Sequence, residues 1–156
     1  MRRKDREVLD LNEIMKIVGK CEVVRLGMVD NGVPYIVPLN FGYELRGETL
    51  TLYFHSALQG RKIGILKANP SACFEMDCSC KIIKEETPCE WSAEYESVIG
   101  YGNISFIENA DERKSALDAV MRRYGFEGVL EYNEAVFQRT SLYKLVVDSM
   151  TCKRKV

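Results

Sequence analysis

The chain reads as a mainly β, α+β protein: an antiparallel barrel with peripheral helices. Three observations predict this. Five or six extended runs are separated by short helical patterns without strict alternation of strand and helix. Asp30-Asn31-Gly32 is a strong hairpin turn between two apolar runs. No GxGxxG follows the first strand, which disfavours a doubly wound dinucleotide fold.

Taken in order, Val8, Leu11, Ile14, Met15 and Val18 fall at helical spacing, and Gly19 is the expected stop. Before them, Arg2, Arg3, Lys4 and Arg6 read as a solvated arm. Cys21 to Val29 and Val33 to Tyr43 form the hairpin, and Thr49 to Phe54 continues it as a third strand of an antiparallel meander. Gly60 to Ala68 is helical and ends before Pro70, because proline disfavours helix in the residue preceding it. Ser71 to Met76 returns to strand. The polar stretch from Asp77 to Cys89 reads as a long connection or exposed hairpin. Trp91 to Ile107 is a long strand that bends, bulges or permits close approach at Gly100 and Gly102. Asn109 or Asp111 caps the next helix, which runs to Tyr124, and Ser141 to Val147 is the last strand.

With 156 residues and 46% hydrophobic content, the chain is expected to fold as one domain over residues 1–156. A formal net charge of -1 recommends neither nucleic acid nor an anionic membrane as partner. No apolar run approaches the roughly 20 residues of a membrane span. The six cysteines, with a polar start lacking a signal-peptide pattern, predict a cytoplasmic protein with free thiols. Cys78, Cys80 and Cys89 suggest three zinc ligands without a fourth at familiar spacing, so no metal is expected. These three are expected to be exposed and oxidisable, with Cys73 buried in its strand. Trp91 is expected in the core.

The stretch Tyr53 to Pro70, YFHSALQGRKIGILKANP, carries the chemistry. A strand runs into a hydroxyl-bearing turn, a glycine, two adjacent cations and a helix. Ser56 can donate a hydrogen bond, Gly60 permits close backbone approach, and Arg61 and Lys62 add charge beside the free N–H groups of a helix start. A phosphorylated ligand is the expectation.

These residues, together with RLGMVDNGVPYIVPLNFGYE at 25–44, NPSACFE at 69–75 and WSAEYESVIGYG at 91–102, resemble the FMN-binding split barrels related to pyridoxamine 5'-phosphate oxidase. The chain looks most like their nitroimidazole-resistance (Nim) group, over about residues 2–153. The resemblance implies that Arg61, Lys62 and Ser56 hold the FMN phosphate and that Val37, Pro38, Leu39 and Asn40 lie along the flavin ring. It places Tyr95 or Ser97 as a contact from a partner subunit, making a homodimer with FMN at its interface. His55, the single histidine, is placed beside the flavin as the candidate catalytic residue.

The implied activity is FMN-dependent reduction of a small molecule, of the flavin reductase or nitroreductase kind, with NADH or NADPH as donor. Split barrels of this kind also bind haem or deazaflavin, so a non-catalytic flavin- or haem-binding module is the alternative. Pyridoxamine phosphate oxidation is disfavoured, because Val37 and Gly42 stand where the oxidases carry Arg and Lys. The chain also has Met150-Thr151-Cys152-Lys153 where Nim-like chains tend to have Met-Thr-Gly-Lys.

Overall fold

The computed structural model describes residues 2–155. A single 3-10 turn at Lys4–Arg6 leads into β1 (Glu7–Val8) and α1 (Leu11–Lys20). Then come β2 (Val24–Asp30), β3 (Val33–Leu39), β4 (Gly42–Arg46), β5 (Thr49–Ala57) and α2 (Arg61–Ala68). The chain continues through β6 (Ser71–Ile83), β7 (Ser92–Phe106), α3 (Ala110–Arg123), α4 (Glu134–Gln138) and β8 (Thr140–Lys155).

All ladders are antiparallel, in the order β3-β2-β6-β7-β8-β5-β4, with β1 added along β8. Strands β3 and β4 therefore lie at opposite edges of the sheet, yet only Asn40 and Phe41 separate them in the chain. Two linking residues span roughly 10 Å, so the sheet must curl until its edges nearly meet. No ladder joins them, and the result is a split barrel. The sequence reading of one continuous meander is corrected here: Val33 to Tyr43 breaks at Asn40-Phe41, where Phe41 drops into the core.

The interior is filled by inward positions of every long strand, including Leu26, Phe54, Phe74, Val98 and Leu145, with Ile14, Ile17 and Val18 of α1 packed among them. Helix α1 starts later than its apolar spacing suggests. Asp10 accepts hydrogen bonds from the backbone N–H of Asn12 (2.7 Å) and Glu13 (3.2 Å), fixing the N-cap. Val8 is instead a strand residue opposite Cys152. Gly19 lies inside the helix, whose C-cap is Cys21. The arm is only partly solvated: Arg3 pairs with Asp5 at 2.6 Å, while Arg6 is half-buried.

Gly100 and Gly102 permit close approach, as their strand predicts. A Cβ on Gly100 would strike the Phe74 ring, and one on Gly102 the Val146 carbonyl. The ladder shifts register between Tyr101 and Gly102, where Asp148 is the extra residue on β8. The segment after Met76 is a hairpin, with β6 running on to Ile83 and returning as β7. Trp91 is 50% exposed at its tip, donating from Nε1 to the Glu85 carbonyl at 2.8 Å, rather than filling the core. Asn109, not Asp111, caps α3. A smaller cluster of Ile107, Ala116 and Leu142, with Tyr53 and Phe137 against it, seats α3 and α4 on the outer side of β5 and β8.

Candidate functional site

Strand β5 ends at Ala57, and Leu58-Gln59-Gly60 turns the chain into α2. Gly60 has φ 142°, a conformation that L side chains rarely adopt, and open space lies where its Cβ would be. No side chain among the described residues caps α2. Its first N–H groups therefore lack a side-chain acceptor at a glycine-lined opening, which suits an anion.

The two cations at this helix start diverge. Arg61 turns to the β2–β3 turn, where Nε and a terminal nitrogen each lie 3.0 Å from Asp30 Oδ2. Its guanidinium stacks on Tyr35, 4.4 Å from the ring centre. Three of its five N–H donors remain available for a second acceptor. Arg61 also lines a cavity of about 460 Å³ with Asn31, Gly64 and Asn69.

Lys62 is half-buried, and burial pushes its pKa below the ordinary lysine value. It makes no ion pair among the described residues. A cation partly stripped of water and given no anion is unsatisfied. A phosphate at the start of α2 would satisfy it, so the donor set fits the FMN tail that the sequence implies.

Alternation along β5 separates His55 from Ser56. Ser56 turns to the side of buried Phe54, while His55 shares the side of Tyr53. Part of the His55 ring faces solvent, yet the protein crowding the remainder imposes a desolvation penalty. That burial, with the Lys62 charge nearby, holds the His55 pKa below its usual value. Ser56 Oγ donates to the Ala57 carbonyl at 3.0 Å. The buried hydroxyl of Tyr143, which pairs with Phe54 across the β5–β8 ladder, has no hydrogen-bond partner among the described residues.

Val37 and Leu39 of β3 pack toward the core, whereas Pro38 and, just past the strand, Asn40 are exposed. Tyr95 and Ser97 are half-buried on β7, and the Tyr95 hydroxyl accepts from Arg6 at 3.4 Å. Strands β2 and β6 stand between β3 and β7. One chain therefore gathers His55, Ser56, Arg61 and Lys62 at one strand-helix junction but leaves Tyr95 and Ser97 apart from Val37 to Asn40.

Sequence reasoning missed Asp30 and Tyr35, which hold Arg61. Asp30 reads as a turn former, and its ion pair is visible only once the hairpin folds toward α2. A larger cleft of about 720 Å³ beside α3 contains none of the predicted residues. Two ion pairs line it, Lys144 with Glu112 and Arg46 with Glu44.

This curled, unclosed antiparallel sheet with an anion-ready junction after β5 defines a split-barrel protein. The family model described as pyridoxamine 5'-phosphate oxidase matches residues 10–154, and the chain belongs to that family. A crystal structure from Bacteroides thetaiotaomicron, described as a candidate 5-nitroimidazole antibiotic resistance protein, is similar at 33% identity. The match covers 94% of this chain and 85% of that one, with a TM-score of 0.82. The flavocytochrome Anf3 from Azotobacter vinelandii shares the fold at 18% identity, with 100% and 72% coverage and a TM-score of 0.83. An FAD- and haem-binding protein from Mycobacterium smegmatis shares it at 17% identity, with 96% and 73% coverage and a TM-score of 0.81. No curated protein matches. No helix among the described residues is long and apolar enough to cross a membrane.

Proposed function

We propose that the protein is a cytoplasmic, homodimeric FMN-dependent oxidoreductase of the flavin reductase or nitroreductase kind, reducing a small molecule with electrons from NADH or NADPH. The observation that carries this reading is Lys62, partly desolvated and with no ion pair among the described residues, beside a helix start whose first N–H groups no described side chain caps. Arg61, Lys62 and Ser56 bind the phosphate, and Val37, Pro38, Leu39 and Asn40 border the ring. When bound, the flavin supplies the redox chemistry. His55, kept neutral at pH 7 by its lowered pKa, retains one ring N–H to donate and one nitrogen to accept a proton. The 33% identical relative, described as a candidate nitroimidazole resistance protein, favours a nitroaromatic as substrate.

A second copy supplies Tyr95 and Ser97, which one chain separates from β3 by two intervening strands. The sheet offers a face for that copy. Ile36, Gly27, Cys73 and Tyr101 form a row across β3, β2, β6 and β7. Ile36 is 64% and Tyr101 57% exposed, with Val29 and Ile99 exposed beside them. An apolar row of this extent on an open sheet marks an interaction surface.

Mass spectrometry of the small molecules released from denatured protein tests the cofactor directly. FMN in about one copy per chain, reducible by NADH or NADPH, is expected. Failure of the apoprotein to bind added FMN overturns the reading, and flavin that binds without being reduced identifies a carrier instead.

A further inference from the structure

The cavity between α2 and the β2–β3 turn adjoins the phosphate junction but has no role in holding FMN. Its volume of about 460 Å³ falls within the roughly 300–1,000 Å³ of small-ligand pockets. One wall is a single face of α2, because Arg61, Gly64, Ile65 and Ala68 recur at helical spacing. From Arg61 to Ala68 that face rises roughly 10 Å, long enough for a nucleoside to lie along it. Little side chain stands out from it: Gly64 has open space where a Cβ would be, Ala68 offers a methyl, and Ile65 is buried. A flat ring can pack against such a surface.

The polar groups around this face complement one another. On the opposing turn, Asn31 Nδ2 donates to Asp30 Oδ1 at 3.1 Å, which leaves the Asn31 amide oxygen without a partner among the described residues. Asn69, just past the end of α2, is the reverse. Its Oδ1 accepts from the Ser71 N–H at 3.1 Å, and its amide nitrogen has no acceptor among the described residues. An acceptor and a donor on the protein suit a ring edge with an amino group beside a ring nitrogen, as adenine has. Arg61, at the start of the same helix face, has N–H donors to spare after Asp30 and suits a phosphate.

We propose that this cavity is a binding site for adenosine 5'-phosphate, presented by a redox dinucleotide. That a redox dinucleotide carries the group rests on the oxidoreductase function proposed above, whereas the fit of the cavity to the group does not. NADH and NADPH both carry an adenylate. So does FAD, where it is joined to the flavin phosphate itself. In either case Arg61 bridges two phosphates, while Lys62 serves only that of the flavin.

The test fills the cavity with Gly64→Leu. Nothing lies within 4 Å of the new Cβ, and leucine favours helix over glycine, so the variant should fold. The Gly64 N–H already donates to the Gly60 carbonyl at 3.1 Å and is not among the groups left for the flavin phosphate. AMP is titrated calorimetrically into FMN-loaded wild type and variant, and NADH, NADPH and nicotinamide mononucleotide follow. FMN and FAD are titrated into both apoproteins. Wild type should bind AMP, and Gly64→Leu should bind it at least about ten-fold more weakly, with FMN affinity and that for nicotinamide mononucleotide unchanged. Asn31→Gly, which suits the φ of 50° at that position, should also weaken AMP without filling the cavity. Beside the loss of AMP, a parallel loss of NADH and NADPH identifies the electron donor as the source of the adenylate, and a loss of FAD identifies the cofactor. Wild type that does not bind AMP, or Gly64→Leu that binds AMP as well as wild type does, overturns the proposal. A protein that takes up no FMN would refute the FMN-dependent function instead, and the same AMP titration of the flavin-free chain then decides this site.

Discussion

Replacing Glu96 by Gln keeps the shape of the side chain and removes its charge, at a position where three segments of chain converge. Glu96 is 3% exposed. Oε2 accepts from Lys20 of α1 at 2.7 Å and Oε1 from Nε of Arg154 of β8 at 2.7 Å, while Ser79 of the β6 bulge adds a third hydrogen bond. Burial alone would raise the Glu96 pKa, but these hydrogen bonds outweigh it and bring the carboxyl to about 2. From an ordinary 4.5, that shift corresponds to roughly 3.4 kcal/mol at about 1.36 kcal/mol per pH unit. Lys20 is 52% exposed, so water screens part of the attraction, and we expect about 2 kcal/mol. Chemical unfolding of wild type and Glu96→Gln, at one protein concentration and one flavin loading, measures the difference. The sign follows from linkage: a carboxyl with a depressed folded pKa stabilises fully above its unfolded value. That stability is lost as pH falls from about 4.5 through about 2. The gap between the two proteins should be flat above pH 5 and shrink below it. A gap under 0.5 kcal/mol at pH 7, or one that widens in acid, would refute the electrostatic account.

The start of α2 makes a second expectation. Replacing Arg61 and Lys62 together by Ala should weaken FMN about a hundred-fold, roughly 3 kcal/mol, while leaving riboflavin binding nearly unchanged, because only the phosphate is lost. Equal losses for both ligands, by fluorescence titration, contradict the assignment. His55 is the only histidine, so its proton NMR titration needs no assignment. The midpoint should fall below 6.5 in the apoprotein and rise when FMN brings a phosphate near Lys62, and an apoprotein midpoint above 6.5 contradicts the burial described. Since His55 binds its proton less readily when folded, it should weaken stability as pH drops below about 6.5. Gly102→Ala should cost at least about 2 kcal/mol in denaturant unfolding, because the new methyl collides with the Val146 carbonyl; a neutral result would mean β8 shifts freely.

Much of this was readable from local chemistry. The turn at Asp30 to Gly32, the boundaries of α2 and the helix after Asn109 each depend on a few neighbouring residues, and they fall where the pattern puts them. Strand ends did not. The polar ends of β6 and β8 contain Lys81 and Lys153, which look like loop, yet Lys81 pairs opposite Glu94 and Lys153 opposite Glu7 and Ser97. Their extension is secured by ladder partners far along the chain. Helix α4 has five residues, with Ala135, Val136 and Phe137 consecutive as its apolar ones, too short a run for periodicity to register. At the site, residue types named the ligand class, but which cation meets which neighbour depended on how the β2–β3 turn folds over α2.

The division of labour at that junction also explains why two adjacent cations are built differently. Arg61 is already engaged by Asp30 and Tyr35, so its plane is fixed and ligand binding need not restrain a free guanidinium. Lys62 has no such partner among the described residues and carries a desolvation penalty in the apoprotein. An anion at the helix start relieves that penalty, and the relief appears as affinity. Positioning thus comes from Arg61 and driving force from Lys62. On this argument Lys62→Met should stabilise the apoprotein while weakening FMN, whereas Asp30→Ala should leave apoprotein stability nearly unchanged and blur the geometry of phosphate contact. A Lys62→Met apoprotein no more stable than wild type would show that the amino group is better solvated than its burial implies, and the source of binding energy would have to be sought elsewhere.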